Sequence, residues 1–324
     1  MSGLLIEKQG IRGVVKTNLK TFAAIFFSMD CAIFEQSSKI DSIRKKSKQV
    51  LLFSLIYTIF ANDMEYTLNC NGRLLDLSEP QVMGIINLTP DSFFAASRKQ
   101  ADGEIVDRCH QILLEGGTII DVGACSTRPG GELVSEEEEM RRLRNGLALI
   151  RKELPDAILS IDTFRPEVAR MCIEEFGADI INDVEGSEEM FQTVARLRTP
   201  YIYMTRKATV HDVLIDFAQT VQRLRDLGQK DIILDPGFGF GKTLEQNFQL
   251  LNELEKLLVM ELPLLVGMSR KRMVWQTLGI TPDESLNGTT VLNTVALQKG
   301  TSILRVHDVK EAVEAVKIFS HLQT

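Results

Sequence analysis

The stretch Val82-Met83-Gly84-Ile85-Ile86, followed by Asn87, shows the pattern that decides the fold. It is a short, unbroken apolar run that ends in a polar residue, and comparable runs recur toward the C-terminus. Short continuous runs are typical of strands buried on both faces of a parallel sheet, with one crossover helix in each interval. The further runs are 118–120 before Asp121, 157–161 before Asp162, 179–181 before Asn182, 200–203 before Met204, 232–234 before Asp235, 264–267 before Ser269 and 302–304 before Arg305.

Eight such runs separated by helical intervals predict an α/β fold, a (β/α)8 TIM barrel. Before the first run, residues 65–77 alternate in polarity around Asn71-Gly72. Asn-Gly between alternating segments is a strong hairpin signal, so we predict an N-terminal β-hairpin that closes the bottom of the barrel. The predicted organisation is a non-barrel N-terminal extension, 1–63, and a barrel domain, 64–324.

Helix signals fit the same frame. Ser135 and Glu138 have the spacing of a capping box, and the acidic run 136–139 places negative charge at the start of a helix, where the dipole favours it. Pro166 stands where a helix tolerates proline best. Further helices are predicted over 209–227, 243–258, 288–299 and 308–321.

Composition limits the function classes. The net charge of −7 argues against a sequence-independent nucleic-acid binder, and we predict no nucleic-acid partner and no membrane contact for the barrel. Five cysteines without paired spacing predict neither a disulfide framework nor a zinc site, and favour the reducing cytoplasm. The four histidines are too scattered to form a metal motif.

The extension 1–63 differs from the rest of the chain. Arg44-Lys45-Lys46-Ser47-Lys48 precedes an apolar run at 50–60, which is similar to a secretion signal but is far from the N-terminus and too short to span a bilayer comfortably. Three interpretations compete: a membrane or targeting element, a small helical region, or an extension translated from an early start codon with Met64 as the working start. We favour the third, because the barrel pattern is complete from Met64.

Polar residues after the strands predict a site at one rim, because barrel active sites are built at the carboxyl ends of the strands. For a single position, capping of the next helix is an equally good explanation. Asp162, Asn182 and Asp235 together could bind the mixed donor and acceptor edge of a heterocycle. The stretch 235–243 contains Gly-Lys-Thr but has Pro236 where a phosphate loop needs glycine, so we interpret it as a glycine-rich turn that approaches a flat ligand.

Basic residues follow the last two strands, where barrels often hold phosphate. They are Arg270, Lys271 and Arg272 after the seventh strand and Arg305 with His307 after the eighth, although surface salt bridges explain Arg270 and Arg272 equally well. Asn87 and the residues after it supply oxygen ligands suited to Mg2+. The glycine-ended loop 123–131 could close over the site.

From about Met64 to its end, the chain resembles the dihydropteroate synthase family of folate biosynthesis. The joint pattern is specific because its motifs occur in order and on the expected strands. They are the segments 83–93, Ser126-Thr127-Arg128-Pro129-Gly130, Ser160-Ile161-Asp162-Thr163, Ile181-Asn182-Asp183-Val184, 235–242, Ser269-Arg270-Lys271 and Arg305-Val306-His307-Asp308.

The resemblance implies condensation of 7,8-dihydropterin-6-ylmethyl diphosphate with 4-aminobenzoate, with Mg2+ as cofactor and a homodimer as the assembly. It implies that diphosphate departs with help from cationic groups and that the arylamine then attacks without a protein nucleophile. The implied catalytic residues are Asn87, which is also the magnesium ligand, Thr127, Arg128, Arg305 and His307. The implied substrate-binding residues are Phe93, Pro129, Asp162, Asn182, Met204, Asp235, Phe240, Gly267, Ser269 and Lys271.

The chain departs from the commoner family pattern at Cys125, Phe94-Ala95-Ala96, Thr205 and Arg272. These departures leave the pterin and diphosphate residues intact but affect the expected aminobenzoate pocket. Two rival functions share the barrel: a pterin-binding methyltransferase domain and a barrel that binds pterin without turnover. The basic residues at the seventh and eighth strands argue against both.

Overall fold

The computed structural model describes residues 66–88, 98–125 and 134–322. The predicted extension 1–63 lies outside this part of the chain. Ten strands are described. They are β1 (Thr67–Cys70), β2 (Arg73–Asp76), β3 (Gln81–Asn87), β4 (Ile119–Gly123), β5 (Ile158–Asp162), β6 (Ile180–Asp183), β7 (Tyr201–Met204), β8 (Ile232–Asp235), β9 (Leu265–Val266) and β10 (Ile303–Val306).

The last eight of these strands form one sheet in the order β8-β7-β6-β5-β4-β3-β10-β9, and the neighbouring strands run parallel. A parallel bridge between Leu234 and Leu264 joins the two ends of the sheet. The Leu234 amide also donates to the Pro263 carbonyl at 2.9 Å. The predicted (β/α)8 barrel is therefore confirmed.

Helices follow the barrel strands along the chain. The α-helices are α1 (Arg98–Leu114), α2 (Glu136–Glu153), α3 (Pro166–Phe176), α4 (Glu188–Leu197), α5 (Val210–Asp226), α6 (Leu244–Asn252), α7 (Arg272–Leu278), α8 (Leu286–Gln298) and α9 (Val309–Leu322). Within the described ranges, none has the length and apolar character needed to cross a bilayer.

The N-terminal hairpin closes the bottom of the barrel, the end at which its strands begin. β1 and β2 pair antiparallel around Asn71 and Gly72, whose φ angles of 52° and 86° produce the tight turn that Asn-Gly favours. The apolar face of the hairpin packs on side chains from inside the barrel. This inner cluster contains Leu68, Cys70, Leu75, Leu77, Met83, Ile119, Ile180, Ile202, Ile233, Leu265 and Ile303.

Two helix predictions need correction. Ser135 accepts a hydrogen bond from the Glu138 amide, which is half of the predicted capping box. The Glu138 carboxylate pairs with Arg141 and Arg142 instead of returning to the Ser135 amide, so the described contacts do not complete the box. The predicted helix 243–258 changes character after Asn252, because α6 ends there and a 3-10 helix, Leu254–Met260, follows. Pro166 is the first residue of α3, as predicted.

Candidate active site

The mouth of the barrel, where the strands end, carries a row of polar residues set by strand register. Asn87 pairs with Gly123, Gly123 with Asp162, and Asp162 with Asn182. A Cβ at Gly123 would lie 3.4 Å from Asp162 Cβ and 3.8 Å from Asn87 Oδ1. Glycine therefore keeps the row open between an amide and a carboxylate.

Beneath this row, Arg305 joins two carboxylates from neighbouring strands. Its Nε donates to Asp121 Oδ2 at 2.7 Å, and one terminal nitrogen donates to Asp162 Oδ2 at 2.7 Å. Asp121 is fully buried and also accepts from Ser160 Oγ at 2.6 Å and from Asn182 Nδ2 at 3.3 Å. Strands β4, β5, β6 and β10 thus contribute to one hydrogen-bonded network inside the mouth.

Burial and neighbouring charges affect Asp162 and Arg305 of this network differently. Burial raises the pKa of Asp162 to about 7, against the lowering effect of Arg305 and with the support of Asp121. Burial disfavours the Arg305 cation, but Asp121 and Asp162 outweigh it and raise the pKa of Arg305. Asp162 Oδ1 is buried and has no hydrogen-bond partner among the residues that the structure describes. An unpartnered carboxylate oxygen costs free energy, so it is a natural point for a ligand N–H to bind.

A second group of residues is built on the loop after β8. Asp235 Oδ1 accepts from the Gly237 amide at 2.7 Å, and burial raises the pKa of Asp235 although Lys271 opposes the shift. Gly237 has a φ of +69°, and a Cβ there would collide with the Thr205 carbonyl. This position therefore requires glycine, and the turn brings the loop close to the strand end.

Lys271 reaches across to the same loop. Its ammonium donates to the Phe238 carbonyl and lies 4.7 Å from the centroid of the Phe240 ring. Burial lowers the pKa of Lys271 to about 8, while Asp235 raises it and Arg305 lowers it further. Charged residues of both groups, Asp235 and Arg305, shift the pKa of Lys271. The acidic network and the loop after β8 therefore belong to the same site at the mouth of the barrel.

The seventh and eighth strand ends meet at Ser269 and His307. Ser269 Oγ lies 3.0 Å from His307 Nδ1 and accepts from the His307 amide at 3.2 Å. Arg108 of α1 donates to the His307 carbonyl at 2.5 Å. Gly267 is buried beside Arg305, with 3.7 Å between a Cβ built on it and Arg305 Cβ.

Helix capping does not explain the strand-end residues. The N-caps of α3, α4 and α6 are Arg165, Ser187 and Thr243, not Asp162, Asn182 or Asp235. Arg270, by contrast, pairs with Asp308 at 2.6 Å and Asp283 at 3.2 Å, as the salt-bridge interpretation predicts. Arg272 is exposed and donates to Gln276 of its own helix.

The structure adds residues that the sequence argument did not place in the site. Asp121 was noted only as the end of a strand, and its buried position among Ser160, Asn182 and Arg305 makes it a central acceptor. Its signal was the same as that of Asp162: a carboxylate directly after an apolar run. Met204 is buried at the end of β7, opposite Asp235. Phe93, Thr127, Arg128 and Pro129 lie outside the described residues, and their roles stay predictions.

A barrel whose mouth combines carboxylates, an amide and buried cations has the groups expected of an enzyme that binds a nitrogen heterocycle. Residues 83–307 match the family model described as "Pterin binding enzyme". Curated relatives include dihydropteroate synthase of Escherichia coli strain K12, 39% identical over 264 residues that cover 76% of this chain and 93% of that protein. The Bacillus subtilis dihydropteroate synthase is 37% identical over 248 residues, 73% of this chain and 86% of that protein.

Solved structures agree. Dihydropteroate synthase of Xanthomonas albilineans with 4-aminobenzoic acid superposes with a TM-score of 0.74 at 35% identity, covering 80% of this chain and 99% of that one. The same enzyme in complex with 7,8-dihydropteroate gives a TM-score of 0.70 at 32% identity, over 80% and 98% of the chains. The chain belongs to the dihydropteroate synthase family. It is a transferase of folate biosynthesis, and the predicted activity is confirmed.

Proposed function

We propose that the chain joins 7,8-dihydropterin-6-ylmethyl diphosphate to 4-aminobenzoate at the described mouth of the barrel, giving 7,8-dihydropteroate and diphosphate. The observation that carries this assignment is the buried Oδ1 of Asp162, which no described residue contacts by a hydrogen bond, next to the Asp121–Asn182–Arg305 network. A pterin edge offers N–H donors and an acceptor in one plane, so it supplies the partner that this oxygen lacks.

The pterin would lie between the two groups of residues. Asp162 and Asp235 accept from ring and amino N–H groups, Asn182 donates or accepts as the edge requires, and Lys271 donates to a ring acceptor. Lys271 is held by the Phe238 carbonyl and lies over Phe240, so its ammonium is oriented before the ligand arrives. Preorganised donors of this kind contribute most where water is excluded.

The diphosphate end would face the cationic side of the mouth. Arg305 uses Nε and one terminal nitrogen for Asp121 and Asp162, and among the described residues its other terminal nitrogen is left to donate to a phosphate oxygen. His307 is oriented by Ser269 and can donate to the same anion. Negative charge that collects on the departing diphosphate is stabilised there, while positive charge on the exocyclic methylene lies nearer the carboxylates.

Magnesium is the proposed cofactor, and Asn87 is the residue that would hold it. Asn87 is exposed at the mouth, and its Oδ1 lies 3.8 Å from the position that a Cβ would take on Gly123. Within the described part of the chain, no cluster of three or more acidic, histidine or cysteine side chains forms a metal site. One amide oxygen nevertheless suits magnesium, which keeps several waters and binds substrate phosphate. When bound, the ion supplies positive charge to the leaving group.

The arylamine would approach from the side of Phe240, Lys271 and Ser269. The Xanthomonas albilineans enzyme was solved with 4-aminobenzoic acid, which supports this acceptor for the present chain. The bond between the methylene carbon and the diphosphate oxygen breaks first, and diphosphate leaves with the bonding electrons. The amine nitrogen then attacks the cationic methylene and releases its proton to solvent. Cys125 is half-buried at the end of the β4 segment and needs no covalent role in this scheme.

A homodimer is the proposed assembly. Helices α7 and α8 touch at Gly288, where a Cβ would meet Val274 and Leu278. Leu278 and Val291 are 53% and 54% exposed on this pair of helices, which gives a second copy an apolar surface to cover. Light scattering on the full chain should give twice the monomer mass, and Val291→Asp should yield the monomer; a monomeric wild type would refute the proposal.

The reaction itself is tested with the full chain, the diphosphate substrate, magnesium and 4-aminobenzoate. Stoichiometric release of diphosphate with formation of 7,8-dihydropteroate is expected. Pterin binding without diphosphate release would favour a non-catalytic barrel, and methyl transfer to a corrinoid acceptor would favour the methyltransferase alternative. Either result would refute the proposed assignment.

A further inference from the structure

The Lys242 side chain, on the loop after β8, is bound by three backbone carbonyls. Its ammonium donates to the Gly237 carbonyl at 2.8 Å, to the Phe240 carbonyl at 3.3 Å and to the Thr205 carbonyl at 3.4 Å. The first two belong to the loop after β8, and the third belongs to the segment after β7. One side chain therefore ties two neighbouring strand-end segments together.

The loop after β8 is held by two ammonium groups through adjacent carbonyls. The Gly237 carbonyl accepts from Lys242, and the Phe238 carbonyl accepts from Lys271. The stem of Lys271 crosses Gly239, where a Cβ would approach its Cδ to 3.1 Å. A displacement of Gly237 would therefore also move Phe238 and Gly239, the residues that Lys271 contacts.

A neutral anchor for the same loop already exists. Asn247, which is buried, accepts from the Gly239 amide at 2.7 Å and donates to the Thr243 carbonyl at 2.7 Å. Lys242 adds a charge, and in the described part of the chain its ammonium donates to carbonyl oxygens rather than to carboxylates. Burial lowers the pKa of Lys242 to about 8, and Asp235 is the charged group that opposes this shift. Lys242 in turn favours the ionised form of Asp235.

We propose that Lys242 is a positioning residue for the pterin site: it fixes the loop after β8 against the segment after β7 and adds a positive charge at the Gly237 turn, whose amide binds Asp235. Its target is Asp235 and the Phe240–Lys271 pair, not the substrate. This inference rests on the proposed pterin role of Asp235.

Three substitutions separate the two parts of this role. Lys242→Met keeps the stem and removes donors and charge, Lys242→Gln keeps donors without charge, and Lys242→Arg keeps the charge. Calorimetric titration of the full-length protein with pterin alone gives a readout that does not depend on turnover. We expect Lys242→Met to weaken pterin binding about tenfold, as for the loss of one charge-assisted contact. Lys230→Met, an exposed lysine before β8 at the bottom of the barrel, is the matched control and should bind as wild type.

The pH dependence distinguishes this role from a purely structural one. Without the Lys242 cation, the pKa of Asp235 rises further, so the acid limb of pterin binding should move up by about one unit in the Met and Gln variants. Lys242→Arg should keep the wild-type limb. Lys271 and Arg305, the other cations that act on Asp235, are unchanged in all variants. The pKa of Asp162 is raised as well, but Asp162 pairs with Arg305, which none of the variants changes, so its contribution to the acid limb should stay constant.

Thermal unfolding confirms that each variant is folded; if Lys242→Met is not, the Gln and Arg variants carry the test. An acid limb that does not move in the folded variants would overturn the inference, as would pterin affinity within twofold of wild type. In those cases a wild type that binds pterin leaves the proposed function standing. A wild type that binds no pterin would refute the proposed pterin role of Asp235 itself.

Discussion

Both ends of the barrel contain a buried aspartate paired with arginine, but the two aspartates differ in how many of their carboxylate oxygens accept hydrogen bonds. At the bottom, Asp179 is fully partnered: Oδ1 accepts from Arg73 at 2.9 Å, and Oδ2 accepts from Arg151 at 3.1 Å and from the Leu159 amide at 2.9 Å. At the mouth, Asp162 shares Arg305 with Asp121, and one of its buried oxygens has no partner in the described ranges of the chain. One end therefore stabilises the chain, and the other holds unsatisfied groups ready for a ligand.

The difference follows from what covers each end. The hairpin β1–β2 seals the bottom with an apolar cluster and adds Arg73 as an ion-pair partner. The described mouth is lined by groups whose pKa values are shifted by burial, including Asp162, Asp235 and Lys271. Shifted groups at a cleft are a physical mark of function, since stability alone would favour satisfied or apolar side chains.

Substitution at the two ends of a single strand sharpens the comparison most. Asp235→Ala, at the end of β8, should weaken pterin binding about a thousandfold, equivalent to about 4 kcal/mol, because a buried hydrogen-bonded charge is lost. Asp231→Ala, just before the same strand, removes a carboxylate that accepts from the Asn69 amide at the bottom. It should leave pterin affinity within about twofold, a change too small to mark a binding contact. Calorimetry with pterin measures both, and affinity that survives Asp235→Ala would contradict the site.

The bottom of the barrel should respond in stability rather than in binding. Asp179→Ala should lower the free energy of unfolding by about 3 kcal/mol, because it breaks a buried ion pair. The exposed pair of Glu175 with Arg144 offers a control, and Glu175→Ala should change the free energy of unfolding far less than Asp179→Ala, because solvent screens an exposed ion pair. Denaturant unfolding measures these changes. A drop in pterin affinity with Asp179→Ala, without a drop in stability, would show that the two ends are not divided as described.

A smaller effect on stability is expected when Asp162, the mouth carboxyl whose pKa is raised, is replaced by a neutral residue. The pKa of Asp162 is raised from 3.8 to about 7 in the folded protein, so the folded state holds a proton that the unfolded state has released. Stability is therefore lost as pH rises from about 4 to about 7. Asp162→Asn should raise the melting temperature by about 4 °C at pH 8 and by about 1 °C or less at pH 5.

Thermal scans at both pH values check the sign of this effect. Asp156→Asn removes an exposed carboxylate from the other end of β5 and serves as the control. Equal shifts for Asp162→Asn at pH 5 and pH 8 would show that ionised Asp162 does not destabilise the mouth. The variant should also bind pterin more weakly than wild type, since it replaces an acceptor oxygen by a donor.

The smallest effect is expected from removing the extension. We propose that residues 64–324 are sufficient for folding and activity, since the family match spans 83–307 and the hairpin seals the bottom from residue 67. The chain without 1–63 should equal the full chain in specific activity and in unfolding midpoint. Loss of soluble enzyme on deletion would show that the barrel depends on the extension to fold.

The sequence was most informative where local pattern and burial act together. The barrel strands were located to within a few residues, because a strand buried on both faces must be apolar at every position. The Asn71-Gly72 turn was predictable for a similar reason, since both residues adopt positive φ. The break after Asn252 was not predictable, because apolar spacing continues through the 3-10 segment.

Side-chain partners were harder to foresee than strand ends. The partners of Arg305 come from β4 and β5, well over a hundred residues earlier in the chain, and no local pattern records that distance. Asp121 went unassigned for this reason, although it follows its strand just as Asp162 does. The incomplete cap at Ser135 has a local cause: Arg141 and Arg142 compete for the Glu138 carboxylate.

The closure of the cylinder between β8 and β9 has a kinetic consequence. In the described strands, this seam is joined by the isolated bridge between Leu234 and Leu264 and by the hydrogen bond from the Leu234 amide to the Pro263 carbonyl. The other neighbouring strands share longer ladders or a two-pair ladder. Strand β8 ends in Asp235, and β9 leads to Ser269 and Lys271. Backbone amides at the seam should therefore exchange with deuterium sooner than those of β4 and β5. A bound pterin that contacts both Asp235 and Lys271 would connect the two sides of the seam and slow that exchange.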